Sequence, residues 1–181
     1  DVCLYDTWRF EKDGSNAEDL NILLYLLGEE RFQKLVCEKL DESLGQEPFI
    51  VSQYETYSDF VQHDKELRKK YCILREASVI DCRNSTHRFG VVFGEKYISA
   101  LGSYVADKHP EFDYVAVINM PKSVSLRTGK DDINLGLEIA KPRGGGGHPK
   151  AAAFPLHHIN ADLISQMLDQ KLKVCSFRAA F

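Results

Sequence analysis

The residues best equipped for chemistry stand together in PRGGGGHPKAAAF, residues 142–154. Four consecutive glycines let a backbone adopt positive φ and turn successive N–H groups outward. Such groups, at a turn or a helix start, make a nest for phosphate. His148 adds a side-chain donor, and the following alanines are small enough to lie close to a ligand or a neighbouring element. Lys141, Arg143 and Lys150 surround the run, with no acid between 141 and 150. Together these residues read as an anion cradle. The competing reading is a slack linker, but this run lies inside a small domain, between a helical segment and HPKAAAF. It is not the triphosphatase loop, which needs Gly-Lys-Ser/Thr, nor the dinucleotide fingerprint, which needs spaced glycines after a strand.

The elements that must hold this run follow from the patterning. Residues 1–71 read as a helical connector. SNAEDLNILLYLLG has Ser15 or Asn16 as cap, acids in its first turn, Leu20, Leu23, Leu24 and Leu27 on one face, and Gly28 as its stop. EERFQKLVCEKL is a second helix. A third opens at Pro48 and runs through FIVSQYETYSDFVQHDKELRKKY, its basic residues Lys65–Lys70 forming a solvated last turn. From Cys72 the texture changes. ILREASVID, RFGVVFG, FDYVAVINM and SVSLRTG read as strands. KYISALGSYVADKHP is a helix stopped by Pro110, and DDINLGLEIAK a helix capped by Asp131 or Asp132. KAAAFPL is a strand or a helix start, NADLISQMLDQKL a helix, and KVCSFRAAF a last strand. The fold class is α/β: a helical connector, then a small mixed β-sheet domain flanked by helices over residues 72–181.

The totals narrow the function. The 181 residues carry 23 basic and 27 acidic side chains, a net charge of −4, so no bulk field attracts long nucleic acid and phosphate binding must be local. Five cysteines, at 3, 37, 72, 82 and 175, are widely spaced and show no zinc-knuckle pair. They read as reduced thiols of a cytoplasmic protein, mostly in the core. No segment has the length and purity of a membrane span. The chain opens on Asp1 rather than a methionine, which suggests processing or a longer parent.

GGGGHPKAAAF resembles the glycine–histidine motif of the DHH-associated domain, in which GGGH is followed by a short gap and Ala-Ala-Gly. SLRTG, some twenty residues earlier, resembles that domain's Ser-x-Arg-Ser/Thr segment. The order strand, helix, strand, strand with Arg, helix, glycine loop is similar as well, over roughly residues 86–157. YDTWRFEKDGSNAEDLNILLYLL is similar to the connector that follows the catalytic domain in DHH phosphoesterases. The resemblance implies hydrolysis of phosphoester bonds in small nucleotides, short oligonucleotides or polyphosphate. It implies a two-metal site of manganese (or magnesium) held by Asp and His in an N-terminal catalytic domain, and a C-terminal domain that grips the substrate. Carried onto this chain, Arg127 and His148 hold phosphate, Gly145, Gly146 and Gly147 supply backbone contacts, and Ser125, Thr128 and Lys150 are accessory.

Two departures matter. Ala153 stands where the family has glycine, and would be strained if that position needs positive φ. No Asp-His-His triplet occurs, and His157, His158 and Asp162 are too few for a two-metal centre. DKH at 107–109 reads as surface. No catalytic residue and no metal ligand is therefore assigned. The expectation is the substrate-binding C-terminal portion of a metal-dependent hydrolase, inactive alone, with a small phosphate-containing substrate, no membrane contact, and homo-oligomerisation left open. The rivals are a non-catalytic tRNA-type binding module and a degenerate interaction domain.

Overall fold

A computed structural model describes residues 17–42, 55–120 and 122–156. The expectations for the cap at Ser15 or Asn16, the helix start at Pro48, His157, His158, Asp162 and the last helix and strand lie outside these residues. The chain divides into two compact units, Asp1–Tyr71 and Cys72–Phe181.

Three helices account for the described part of the first unit: α1 (Ala17–Leu27), α2 (Glu29–Glu42) and α3 (Glu55–Glu76), the last running on into the second unit. Gly28, at φ 78°, takes the left-handed conformation that ends α1 and starts α2 without a Cβ penalty. Ile22, Leu23, Leu35 and Val61 form the core of this unit, flanked by Leu20, Leu27, Phe32, Val36 and Tyr57. The basic residues read as a solvated last turn are instead mid-helix, because α3 continues to Glu76. Lys65 pairs with Asp19 and Glu18, and Arg68 with Glu18, so they bind the acidic first turn of α1.

The second unit is built on one six-stranded sheet. Its strands are β1 (Ile80–Arg83), β2 (Arg88–Phe93), β3 (Tyr114–Asn119), β4 (Ser123–Arg127), β5 (Gly146–Gly147) and β6 (Ala151–Pro155). The spatial order is β1-β2-β3-β4-β6-β5. Only β2 and β3 run parallel, joined by the crossover helix α4 (Ile98–Lys108), as a parallel pair requires. The ILREASVID segment departs from the strand expected of it: its first residues finish α3, and β1 begins only at Ile80.

β3 is apolar from Tyr114 to Ile118 because both its faces are covered. On one side Tyr114, Ala116, Val124, Leu126 and Ala152 meet Ile133, Leu135, Ile139 and Ala140. On the other, α4 packs on β3 and β4, and Leu101, Val105, Val115 and Val117 are fully buried. β4 alternates accordingly: Val124 and Leu126 are buried, while Ser123, Ser125 and Arg127 are half-buried on the α4 side. Truncating a residue such as Leu126 to alanine would cost about 2–5 kcal/mol. Of the described cysteines, Cys72 is core, Cys37 exposed and Cys82 in between, so burial is less general than the sequence suggests.

The segment before the glycines is a single π-helical turn, Leu135–Ala140, followed by a 3-10 turn, Lys141–Arg143. Its cap is Asn134 rather than Asp131 or Asp132. The Asn134 side chain accepts from the Leu137 N–H at 3.1 Å, and Glu138 Oε1 accepts from the Asn134 N–H at 2.8 Å. This reciprocal arrangement uses an amide side chain nearer the turn. Asp131 instead pairs with Lys150.

Candidate phosphate-binding site

The glycine run is a sequence of fixed joints. Gly144 is left-handed, φ 75°. Its N–H donates to Lys141 O at 3.1 Å, and the Gly145 N–H donates to Ala140 O at 3.0 Å. These two bonds are a Schellman cap, which closes the preceding turn on its own carbonyls. Gly146 and Gly147 then pair with Ala153 and Ala152. A Cβ on Gly145 would stand 2.1 Å from Ala153 O, and one on Gly147 would stand 2.5 Å from Ala151 O. Gly136 is also needed, since its Cβ would meet Gly147 O at 2.4 Å. Gly146 differs: a Cβ there meets nothing within 4 Å.

HPKA closes the hairpin. The His148 N–H donates to Ala151 O at 2.7 Å and the Ala151 N–H to His148 O at 3.3 Å, a β-turn with Pro149 at its second position, where a fixed φ suits it. In an antiparallel ladder hydrogen-bonded pairs alternate with open ones. His148–Ala151 is bonded, so Gly147–Ala152 is open and the Gly147 N–H turns away from β6. The amide expected at Gly145 is spent on the cap. Ala153 is an ordinary strand residue: Tyr97 is the one non-glycine residue with positive φ among those described, so the missing family glycine brings no strain.

Strand register joins the two motifs. Arg127 is the direct partner of Ala151, and Ala151 is the residue to which His148 is bonded. Arg127 and His148 therefore share one end of the sheet, with His148 exposed and Arg127 half-buried. Arg127 Nη1 donates to Leu126 O at 2.8 Å and Nη2 to Ser99 Oγ at 2.6 Å. Ser125 lies opposite Ala153, which lies opposite Gly146, so a row of small residues crosses β4, β6 and β5 on the Arg127 side.

Thr128 and Lys150 are engaged elsewhere. The Thr128 hydroxyl, buried, donates to Asp113 O at 2.7 Å and accepts from the Lys130 N–H at 3.0 Å. Lys150 Nζ donates to Lys130 O and Gly129 O and pairs with Asp131 at 2.6 Å. Both residues tie the loop after β4 to the hairpin. Arg143 donates to Ile139 O at 2.7 Å and lies over the Phe154 ring. The reading by sequence passed over Ser99 and Gly102, which touch Arg127; their signal is only a pair of small residues three apart on an amphipathic helix. Within DKH, Asp107 and Lys108 are exposed as expected and His109 is half-buried, held between Glu76 at 2.8 Å and Glu111 at 3.0 Å and stacked on Phe112. The Glu111 carboxylate, with that of Glu76, raises the His109 pKa above its ordinary value against an opposing burial effect.

Among the described residues no group of three or more His, Cys, Asp or Glu side chains could hold a metal ion, and no helix is long and apolar enough to cross a membrane. The described residues thus do not fit a two-metal centre.

No family model matches the sequence. Oligoribonuclease NrnB of Bacillus subtilis strain 168 is 33% identical over 150 residues, which cover 82% of this chain and 36% of that protein. With its paired SLRTG and GGGGH motifs on this sheet, the chain belongs to the DHH-type phosphoesterases, of which it carries the C-terminal DHH-associated domain. It spans about a third of the length of the curated relative it matches. Two solved structures are similar over part of this chain. An uncharacterised protein from Helicobacter pylori G27 is 21% identical, with a TM-score of 0.39 over 64% of this chain and 32% of that one. The pGpG-specific phosphodiesterase PggH from Vibrio cholerae is 17% identical, with a TM-score of 0.40 over 76% of this chain and 49% of that one.

Proposed function

We propose that this chain is the substrate-gripping portion of a cytoplasmic, metal-dependent phosphodiesterase that acts on short oligonucleotides. Arg127 and His148 hold a phosphate of the substrate, with the outward Gly147 N–H as a backbone donor. The observation that carries this reading is the register: Arg127 faces Ala151 across β4 and β6, and the backbone of Ala151 is bonded to His148. The name of the NrnB relative supplies the substrate class. Hydrolysis itself, with manganese or magnesium, belongs to a part of the parent protein outside this match. Ser125 lies in the same row and is a natural neighbour of the substrate; Thr128 and Lys150 serve the loop that frames the site.

A guanidinium suits the task because its planar fork can grip two phosphate oxygens at once. The test is calorimetric titration of a 5′-phosphorylated RNA dinucleotide into the wild-type chain, Arg127→Ala, Arg127→Lys and His148→Ala. A charge-assisted hydrogen bond contributes about 1.5–3 kcal/mol, so Arg127→Ala should weaken binding roughly tenfold to a hundredfold. Arg127→Lys should recover only part of the loss, and His148→Ala should weaken binding by a smaller factor. Unchanged affinity in both alanine variants, with the fold intact, would refute the assignment and favour a degenerate interaction domain.

A further inference from the structure

We propose that Ser99 and Gly102 of α4 are positioning residues for Arg127, so that the helix crossing the sheet sets the geometry of the phosphate grip. This rests on the functional reading of Arg127 above and adds to it two residues from an element outside both sequence motifs.

An arginine on a sheet is a long, jointed side chain. Left to itself it samples many rotamers, and a grip on phosphate loses affinity to the ordering of each one. Here the side chain is constrained at both ends. At its base, Gly102 is buried in α4, and the space its missing side chain leaves is filled by the arginine stem. A Cβ on Gly102 would stand 2.8 Å from Arg127 Cγ, 3.4 Å from Arg127 Cβ and 3.2 Å from Val117 Cγ2. Glycine is a poor helix former, by about 1 kcal/mol relative to alanine, so its presence at a buried mid-helix position calls for a packing reason, and the arginine stem provides one. At its tip, Nη2 donates to Ser99 Oγ at 2.6 Å and Nη1 to the Leu126 carbonyl at 2.8 Å. Ser99 and Gly102 are three apart on α4, hence on the same face, and meet the tip and the stem of one side chain. The Ser99 hydroxyl thus accepts from Nη2.

The test uses the full chain and the same phosphorylated dinucleotide. Ser99→Ala removes the anchor at the tip; a hydrogen bond of ordinary net worth corresponds to about a threefold to tenfold loss of affinity, and Ser99→Thr, which keeps a hydroxyl, should bind within about twofold of wild type. Gly102→Ala should also weaken binding, because the flexible stem rather than the backbone must give way, while the melting temperature holds. A purely structural role would not predict the next result: in an Arg127→Ala background, neither Ser99→Ala nor Gly102→Ala should weaken binding further, since all three act through one group. The proposal is overturned if Ser99→Ala and Gly102→Ala bind like wild type while Arg127→Ala does not, or if their losses persist in full without Arg127. In either case the assignment of Arg127 to phosphate survives. If Arg127→Ala itself binds like wild type, both readings fall together.

Discussion

A scan of alanine through the four glycines separates fixed joints from slack chain. Gly145→Ala places a Cβ 2.1 Å from Ala153 O, 2.6 Å from Phe154 Cα and 2.6 Å from Phe154 Cβ. Two of these neighbours are backbone, so no rotamer change relieves the overlap; β6 must move, or the Schellman cap must open. Overpacking of this kind costs about 1–3 kcal/mol, and losing a cap bond on top places the expected loss at the upper end of that range. For a chain of this size, each 1 kcal/mol lowers the melting temperature by roughly 2–4 °C, so Gly145→Ala should melt about 4–12 °C below wild type. Gly147→Ala should be at least as damaging, since it combines φ 140° with a contact of 2.5 Å to Ala152 Cα. Gly144→Ala meets no atom and loses only the left-handed preference, about 1–2 kcal/mol. Gly146→Ala meets no atom and has no left-handed φ; it should be neutral, or stabilise by up to about 1 kcal/mol through the unfolded chain. Calorimetric melting of the four single variants is the assay. Four equal and small shifts would mean that the run is slack chain after all, and the close packing described above would be wrong.

Two further outcomes are expected. The histidine held between Glu76 and Glu111 has a raised pKa in the folded chain, so its contribution is fully present below the unfolded value of about 6.5 and is lost as pH rises through the folded value; melting curves of wild type and His109→Gln should therefore converge from about pH 6.5 upward, and parallel curves would remove His109 from the account. The purified chain should show no manganese-dependent cleavage of a dinucleotide above a blank, measured by chromatography of the products; turnover abolished by a chelator would show that metal ligands lie within these 181 residues, with His157, His158 and Asp162 as the first to replace.

The sequence announced the sheet domain better than the site. The continuous apolar run of β3 and the alternation of β4 are direct prints of what covers each face, and Gly28 is a stop legible without a structure. The glycines were harder, because one residue type serves four purposes. A left-handed cap, a close approach, an open strand position and a second positive φ all look like GGGG, and only the partners across the gap distinguish them. The Gly145 amide therefore reads from the sequence as a ligand contact, although the turn before it uses that donor. Lys150 and Thr128 are accessory contacts by the resemblance, while in the fold Thr128 donates to the Asp113 carbonyl and Lys150 binds Asp131 and the 129–130 carbonyls. Asn134 took the capping role from Asp131 and Asp132 because the turn starts later than the polar cluster does. Ser99 carries no motif at all; it matters through Arg127, from which it is separated by a helix and a strand.

The order of the strands in space repeats their order along the chain from β1 to β4, and is inverted only where β6 inserts between β4 and the two-residue β5. A folding chain can thus add each of the first four strands to a neighbour already made, with a long closure only at the crossover through α4 between β2 and β3. The glycine hairpin joins the sheet through β6, which pairs with β4 over five positions, while β5 is held to β6 by only two residue pairs and is the last strand of the order among the described residues. The β5 amides should therefore trade hydrogen for deuterium well ahead of those of β3. A phosphate bridging Arg127 and His148 would join β4 to the hairpin, and occupancy of the site would be written in the exchange rates of Gly146 and Gly147.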